Sequence, residues 1–126
     1  MPVQFSKSAV IEKNRIAIEA CDATIDRLKE LGEEGLFADD EAKRLVQLSR
    51  AVNTRTNLKQ INANLRAAGT VVKPMADNVV KELNDLGNRL DQQIRNDLIA
   101  NATIDFITSV LKDVNRFRNI VDAHQG

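Results

Sequence analysis

Apolar residues recur in steps of three and four along the first part of the chain. The row consists of Ile11, Asn14, Ile18, Cys21, Ile25 and Leu28, with one amide among apolar residues. This spacing places the row on one face of a helix and is typical of a heptad seam. Ser6 supplies an N-cap residue before the row, and Gly32 follows it where a left-handed C-terminal cap favours glycine. We therefore predict a helix over 7–31.

A second helix is predicted over 39–68. Its first turn carries three acids, which are favourable at the positive end of a helix dipole: Asp39, Asp40 and Glu41. Gly69 stands where this helix should end.

The apolar face of this second helix changes direction in its middle. Residues before the change are Leu45, Leu48 and Val52, and residues after it are Leu58, Ile61 and Leu65. On a helical wheel the two groups point roughly 150° apart. The stretch between them, 53–57, contains no apolar side chain. Either the chain turns there or the two halves of the helix pack on different neighbours, and we favour an unbroken helix with two packing partners.

A third apolar row recurs every four residues without interruption. Its members are Leu86, Leu90, Ile94, Leu98, Ala102, Phe106, Val110 and Val114. One interpretation of 75–123 is a continuous helix of about 48 residues, on the order of 70 Å long, which would overhang its neighbours and form a dimer. The other is a break near 96–101, which gives a four-helix bundle. The unbroken row favours the continuous helix, because a turn has no reason to preserve its phase.

These elements predict an all-α protein, an antiparallel bundle of long helices in a single domain over 1–126. Two prolines and five glycines in 126 residues agree with few, long elements. If the last helix is continuous, its exposed part forms the face between two copies of the chain. The predicted residues of that oligomer face are Leu98, Phe106, Val110 and Val114.

Charge is segregated along the chain, although the formal net charge is zero. The segment 22–41 has eight acids and two bases, and the segment 42–75 has seven bases and no acid. Four of the bases fall within about 60° of one another on a helical wheel, namely Arg44, Arg55, Lys59 and Arg66. In an antiparallel hairpin of the first two helices, Arg44 lies opposite Glu30 and Arg55 lies opposite Glu19. We therefore predict that the basic stripe forms a charge seam with its own neighbouring helix.

None of the residue patterns that carry common chemistries is present in the sequence. Glycine-rich phosphate loops, nucleophile elbows and cysteine–histidine zinc spacings are all absent. The only cysteine, Cys21, lies within the first apolar row, and the only histidine, His124, lies in what we expect to be an exposed tail. We therefore predict a protein that is not an enzyme, with no catalytic residue, no cofactor and no metal site.

The remaining class is a helical protein–protein interaction module. We predict that it self-associates, as a homodimer, and also binds an unidentified protein in an adaptor, chaperone, immunity or assembly role. The alternative is a nucleic-acid-associated protein that uses the basic segment 43–73, although the neutral total charge argues against tight phosphate binding. No apolar run approaches the roughly 20 residues that a membrane span needs. Without a signal-peptide pattern, the expected location is the cytoplasm.

Overall fold

A computed structural model describes residues 5–126 and shows an all-α bundle of four helices. The helices are α1 (Lys7–Glu34), α2 (Ala38–Arg66), α3 (Asp77–Arg95) and α4 (Ile104–Ala123). A short 3-10 helix, Ile99–Asn101, lies between α3 and α4. The predicted fold class is confirmed. No helix within the described part of the chain has the length and apolar character to cross a membrane.

The first helix begins as predicted and ends three residues later than predicted. Ser6 is the N-cap, and its hydroxyl accepts a hydrogen bond from the Ala9 amide at 3.1 Å. The helix runs through Gly32, and the glycine with positive φ is Gly35, at φ 87°. Gly32 has a packing role instead, because a Cβ there would lie 2.7 Å from Cζ of Arg44. The absent side chain lets Arg44 pass across α1.

The second helix is unbroken, as favoured, and it has two packing partners, α1 and α4. Its buried positions lie on one face, which begins nine residues inside the helix. That face consists of Gln47, Ala51, Thr54, Leu58, Ile61, Asn62 and Leu65. Leu45 is 52% exposed, and Leu48 and Val52 are only half-buried. The apolar residues in the first half of α2 are thus only partly covered by the rest of the bundle.

The continuous third helix was the wrong interpretation, and the predicted alternative, a break near 96–101, is the structure. Asp97 adopts a left-handed conformation, with φ 54°, which aspartate tolerates better than most residues. Thr103 then caps α4, accepting a hydrogen bond from the Phe106 amide at 3.2 Å. The members of the apolar row on α3 and α4 pack in the core on both sides of the break, whereas Leu98, at the break itself, is 49% exposed.

The core divides into two clusters along the bundle. The larger cluster includes residues of all four helices and of the connection between α2 and α3, among them Val10, Cys21, Leu58, Met75, Leu90 and Phe117. The smaller cluster lies toward the turn between α1 and α2 and contains Ile25, Leu28, Leu31, Ala51, Ala102, Ile104, Ile107 and Leu111. Arg27 ties the α3–α4 connection to α1, donating from Nε to the Ala102 carbonyl at 2.9 Å.

The two ends of the bundle differ. At one end, which we call the closed end, the connection 67–76 pairs with the C-terminal residues through Val71 and Gly126, whose backbone groups exchange hydrogen bonds of 2.9 and 2.8 Å. Val72 and Met75 are buried there. At the other end, no residue of 32–46 is buried. We call this segment the hairpin tip.

The two hairpins of the bundle differ in helix length. The first two helices have 28 and 29 residues, whereas α3 and α4 have 19 and 20. At a rise of 1.5 Å per residue, the helices of the α1–α2 hairpin are about 13 Å longer than those of the α3–α4 hairpin. The α3–α4 connection lies beside the hairpin tip, where Leu36, Asp40 and Lys43 border a cavity with residues 102–105.

Candidate interaction surface

The predicted charge seam exists between α1 and α2, but its pairs differ from those predicted. Arg55 donates to Asp22 at 3.1 Å, not to Glu19, which instead pairs with Arg15 on its own helix. The buried amides of Asn14 and Asn62, 2.8 Å apart, indicate nearly the same register as this ion pair. The antiparallel hairpin is therefore correct, and its register is shifted by two or three positions.

The Arg44–Glu30 pair is also wrong. Glu30 pairs with Arg27 on α1 at 3.2 Å, and Arg44 pairs with Glu41 on α2, donating from Nε at 2.8 Å. Arg44 also donates from Nη1 to the Leu28 carbonyl at 3.3 Å. The hydrogen bonds from Arg44 lower the pKa of the Glu41 carboxyl. Arg44 therefore does connect the start of α2 to α1, but its partner on α1 is a backbone carbonyl and not the predicted carboxylate.

Lys59 and Arg66, the other two bases of the predicted stripe, are exposed. Neither forms an ion pair within residues 5–126, although α1 lies alongside them. The fold thus uses two members of the basic stripe and leaves two in solvent.

The polar stretch in the middle of α2 connects it to two neighbours. Thr54 donates to the Asn115 side chain of α4 at 2.7 Å, and Arg55 on the adjacent position reaches Asp22 of α1. These contacts give the stretch a structural role within the bundle.

The predicted oligomer face is mostly inside the chain's own core. Val110 and Val114 are completely buried, and Phe106 is half-buried against both core clusters. Only Leu98, at 49% exposure in the α3–α4 connection, lies at the surface. The prediction is wrong for the two valines. Because α4 packs back on the bundle, it buries residues that a continuous helix would have exposed.

The largest exposed apolar side chain is Phe37, which sequence reasoning did not single out. It is the N-cap residue of α2, forms no side-chain capping hydrogen bond, and is 88% exposed. Ser, Thr, Asp and Asn are the residues that stabilise this position. Phe37 therefore neither caps the helix through its side chain nor packs in the core.

Phe37 leads into a stripe on the solvent side of α2 that we call the outer face. Six side chains lie within about 60° of one another on a helical wheel; they are Glu41, Leu45, Leu48, Val52, Lys59 and Arg66. The centre of this group is roughly 130° from the buried face of α2. The sequence did contain a signal for this surface, because Leu45, Leu48 and Val52, the apolar residues before the change of direction in α2, form the centre of the outer face.

The outer face carries one acid, Glu41, at one end and two bases, Lys59 and Arg66, at the other. Glu41 is paired with Arg44, whereas neither base forms an ion pair within residues 5–126. Asp39 and Asp40 also lie near the start of α2, but on a helical wheel they point about 100° or more away from the centre of this face. The surface thus combines an exposed ring, an apolar stripe and opposite charges at separate ends.

Groups with reactive chemistry lie elsewhere. Cys21 is completely buried, and burial, with a smaller contribution from Asp22, raises the pKa of its thiol to about 12. His124 is half-buried rather than in a frayed tail, with Nδ1 2.6 Å from the Ile120 carbonyl. In the described part of the chain, no group of three or more His, Cys, Asp or Glu side chains is arranged to hold a metal ion.

Comparisons of the chain with protein-family models, with curated proteins and with solved structures give no match. The fold alone therefore defines its class, an all-α four-helix bundle with one hairpin of longer helices.

Proposed function

We propose that this protein is a non-enzymatic helical interaction module and that its interaction surface is the outer face of α2 together with Phe37. The observation that carries this proposal is the ring of Phe37, 88% exposed at a helix N-cap. Aromatic side chains are enriched in the core of protein interfaces, where they supply much of the binding energy.

Local stability gives no reason for a phenylalanine at this position. An N-cap residue without a side-chain acceptor costs about 1 kcal/mol relative to Ser or Asp. The exposed ring contributes almost no burial to offset this cost. A residue that opposes helix stability and contacts little of the bundle is accounted for by contact with another molecule.

The apolar stripe behind Phe37 supports the same proposal. Leu45 is 52% exposed, and Leu48 and Val52 bury only part of their surface against the smaller core cluster. Single exposed apolar residues are ordinary, but a row on one face of a helix is typical of a docking surface for another helix.

Site-specific photo-crosslinking in the cells that make the protein tests this proposal. A photoreactive amino acid replaces Ser49, an exposed residue at the edge of the outer face, and in a matched control it replaces Asn119, exposed on α4. We expect a discrete adduct from position 49 that disappears with Phe37→Ser, and none from position 119. Equal adducts from both positions, or adducts that ignore Phe37→Ser, would contradict the proposal.

The alternative, nucleic-acid association through 43–73, has less support. Arg44 and Arg55 are paired with Glu41 and Asp22. The other bases of the segment are exposed but do not share one face, because Lys43 and Arg50 point about 140° or more away from Lys59 and Arg66 on a helical wheel and Lys73 lies beyond the helix. Few phosphates can therefore be contacted at once, which gives weak binding with a shallow dependence on salt.

A further inference from the structure

The outer face of α2 carries opposite charges at its two ends, and this pattern identifies its occupant. We propose that the occupant is a second copy of this chain, which lies antiparallel along the outer face and forms a symmetric dimer through α2. This inference rests on the proposed function, because it names the partner of the same surface.

The direction of pairing follows from charge. On the outer face, the acid Glu41 lies in the first turn of α2, and the exposed bases Lys59 and Arg66 lie toward its end. Two parallel copies would bring acids against acids and bases against bases. Two antiparallel copies bring the acidic end of each against the basic end of the other, at both ends at once. A two-fold axis across the middle of α2 produces this arrangement, and two-fold dimers are the commonest oligomers.

One register satisfies the apolar and the charged positions together. In an antiparallel pair, the two residue numbers at opposing positions have a constant total. When Leu48 lies opposite Val52 of the second copy, Glu41 consequently lies opposite Lys59, and Phe37 lies opposite Ala63. Leu48 and Val52 then meet at the centre, and Glu41 and Lys59 pair at the flanks. Leu45 lies opposite Arg55, whose aliphatic stem it can contact.

The intrachain pair of Glu41 leaves room for this contact. Arg44 donates to both carboxylate oxygens of Glu41. A carboxylate has about four acceptor positions, so it can also accept from a lysine of the second copy. Lys59 forms no ion pair within residues 5–126, so it is free to supply that contact.

The same charges disfavour other occupants. A symmetric contact between two hairpin tips would place six acids of one segment 30–41 against six of the other. Anionic lipid surfaces and nucleic-acid phosphates would meet the same acids. Only a surface with bases beside apolar residues is complementary to this end of the face, and α2 itself provides one.

Two single charge reversals, alone and mixed, test the proposal. Lys59→Glu places two glutamates opposite each other in the dimer, and Glu41→Lys places two lysines opposite each other. When the variants are mixed, each heterodimer regains both opposite-charge pairs. We expect the wild-type chain of 14.0 kDa to sediment as a dimer at about 100 μM in low salt. Each variant alone should dissociate with a Kd at least about tenfold higher, and the equimolar mixture should recover the wild-type dimer.

Circular dichroism of each variant shows that loss of the dimer is not loss of the fold. Lys59 is the safer position, because it is exposed and its replacement breaks no ion pair in the bundle. Asn57→Glu, a charge change on α2 away from the outer face, is the matched control and should leave the dimer intact. A wild-type dimer that resists both reversals, or a mixture that stays monomeric, would overturn the antiparallel register.

The outcomes also separate this inference from the proposed function. A monomeric wild-type chain would overturn the dimer. If position 49 still crosslinks to a different protein in a Phe37-dependent manner, the interaction module stands and its partner is a foreign chain. If position 49 gives no Phe37-dependent adduct of any kind, the proposed function fails as well.

Discussion

The closed end and the hairpin tip are built from the same two long helices, yet they use their apolar residues in opposite ways. At the closed end, Val72 and Met75 are 4% and 0% exposed, and the backbone of 71–73 pairs with the C-terminal residues. At the hairpin tip, Phe37 and Leu45 are 88% and 52% exposed. The closed end thus buries two apolar side chains and leaves Val71 52% exposed, whereas the hairpin tip buries none completely and packs only Leu36 against the core.

The difference shows which residues the fold requires. At the closed end, Val72 and Met75 belong to the larger core cluster, so stability alone accounts for these two side chains. The tip keeps its shape through polar contacts, with Arg44 reaching Glu41 and the Leu28 carbonyl across Gly32. Its apolar side chains contribute little to those contacts, which is why we assign them to an interface.

Truncation of one apolar side chain at each end should give the largest contrast. Met75→Ala removes a completely buried side chain and should lower the free energy of unfolding by about 2–5 kcal/mol. Leu45→Ala removes a half-exposed side chain and should lower it by about 0.5 kcal/mol or less at a concentration where the chain is monomeric. Urea titrations of both variants measure the contrast. Equal losses would mean that the tip is part of the core.

The buried amide pair in the closed half should show a smaller effect. Asn14 donates to Asn62 at 2.8 Å, and both residues are buried. Asn62→Ala leaves the Asn14 amide without this acceptor and should cost about 1–3 kcal/mol. Asn57→Ala, at an exposed position of the same helix, is the control and should change stability by less than about 0.5 kcal/mol. Similar losses of stability in the two variants would show that the Asn14–Asn62 hydrogen bond does not stabilise the bundle.

The buried thiol of Cys21 makes stability depend on alkaline pH. Its pKa is raised to about 12 in the folded chain, mainly by burial, whereas an unfolded thiol titrates near its ordinary value of about 8.5–9. Above that value the unfolded state releases the proton and the folded state retains it. The stabilising contribution is therefore complete below about pH 8.5 and is lost as pH rises toward 12.

Cys21→Ala removes this dependence and provides its test. Between pH 8 and pH 10 the wild-type chain should lose about 1 kcal/mol more stability than the variant, whatever the constant cost of the smaller side chain. Denaturant titrations at the two pH values measure the difference. Parallel losses in both chains would indicate a thiol that titrates normally and is accessible to solvent.

The sequence predicted the fold class and the ends of α1 and α2 to within a few residues, because capping residues and apolar spacing are local signals. It offered the break before α4 only as the alternative to a continuous helix, because Asp97 and Thr103 mark the end of one helix and the start of the next without interrupting the apolar row. The charge pairs were misassigned because the sequence does not define the register between α1 and α2. A shift of two or three positions gave Arg55 a different acid, Asp22. The proposed interaction surface corresponds to Leu45, Leu48 and Val52 in the first half of α2, but only the structure shows that Leu45 is exposed and that Leu48 and Val52 are partly covered.

The most direct test of the account is the thermal stability of two Phe37 variants, measured at a concentration where the chain is monomeric. Phe37→Ser supplies the missing N-cap acceptor and should raise stability by about 1 kcal/mol, or Tm by about 4 °C. Phe37→Ala, the matched control, supplies no acceptor and should leave Tm within about 2 °C of the wild-type value. Both variants should lose the adduct formed at position 49. A Tm that falls by several degrees in both variants would mean that the ring supports the fold, and the account of the hairpin tip as an interface would be wrong.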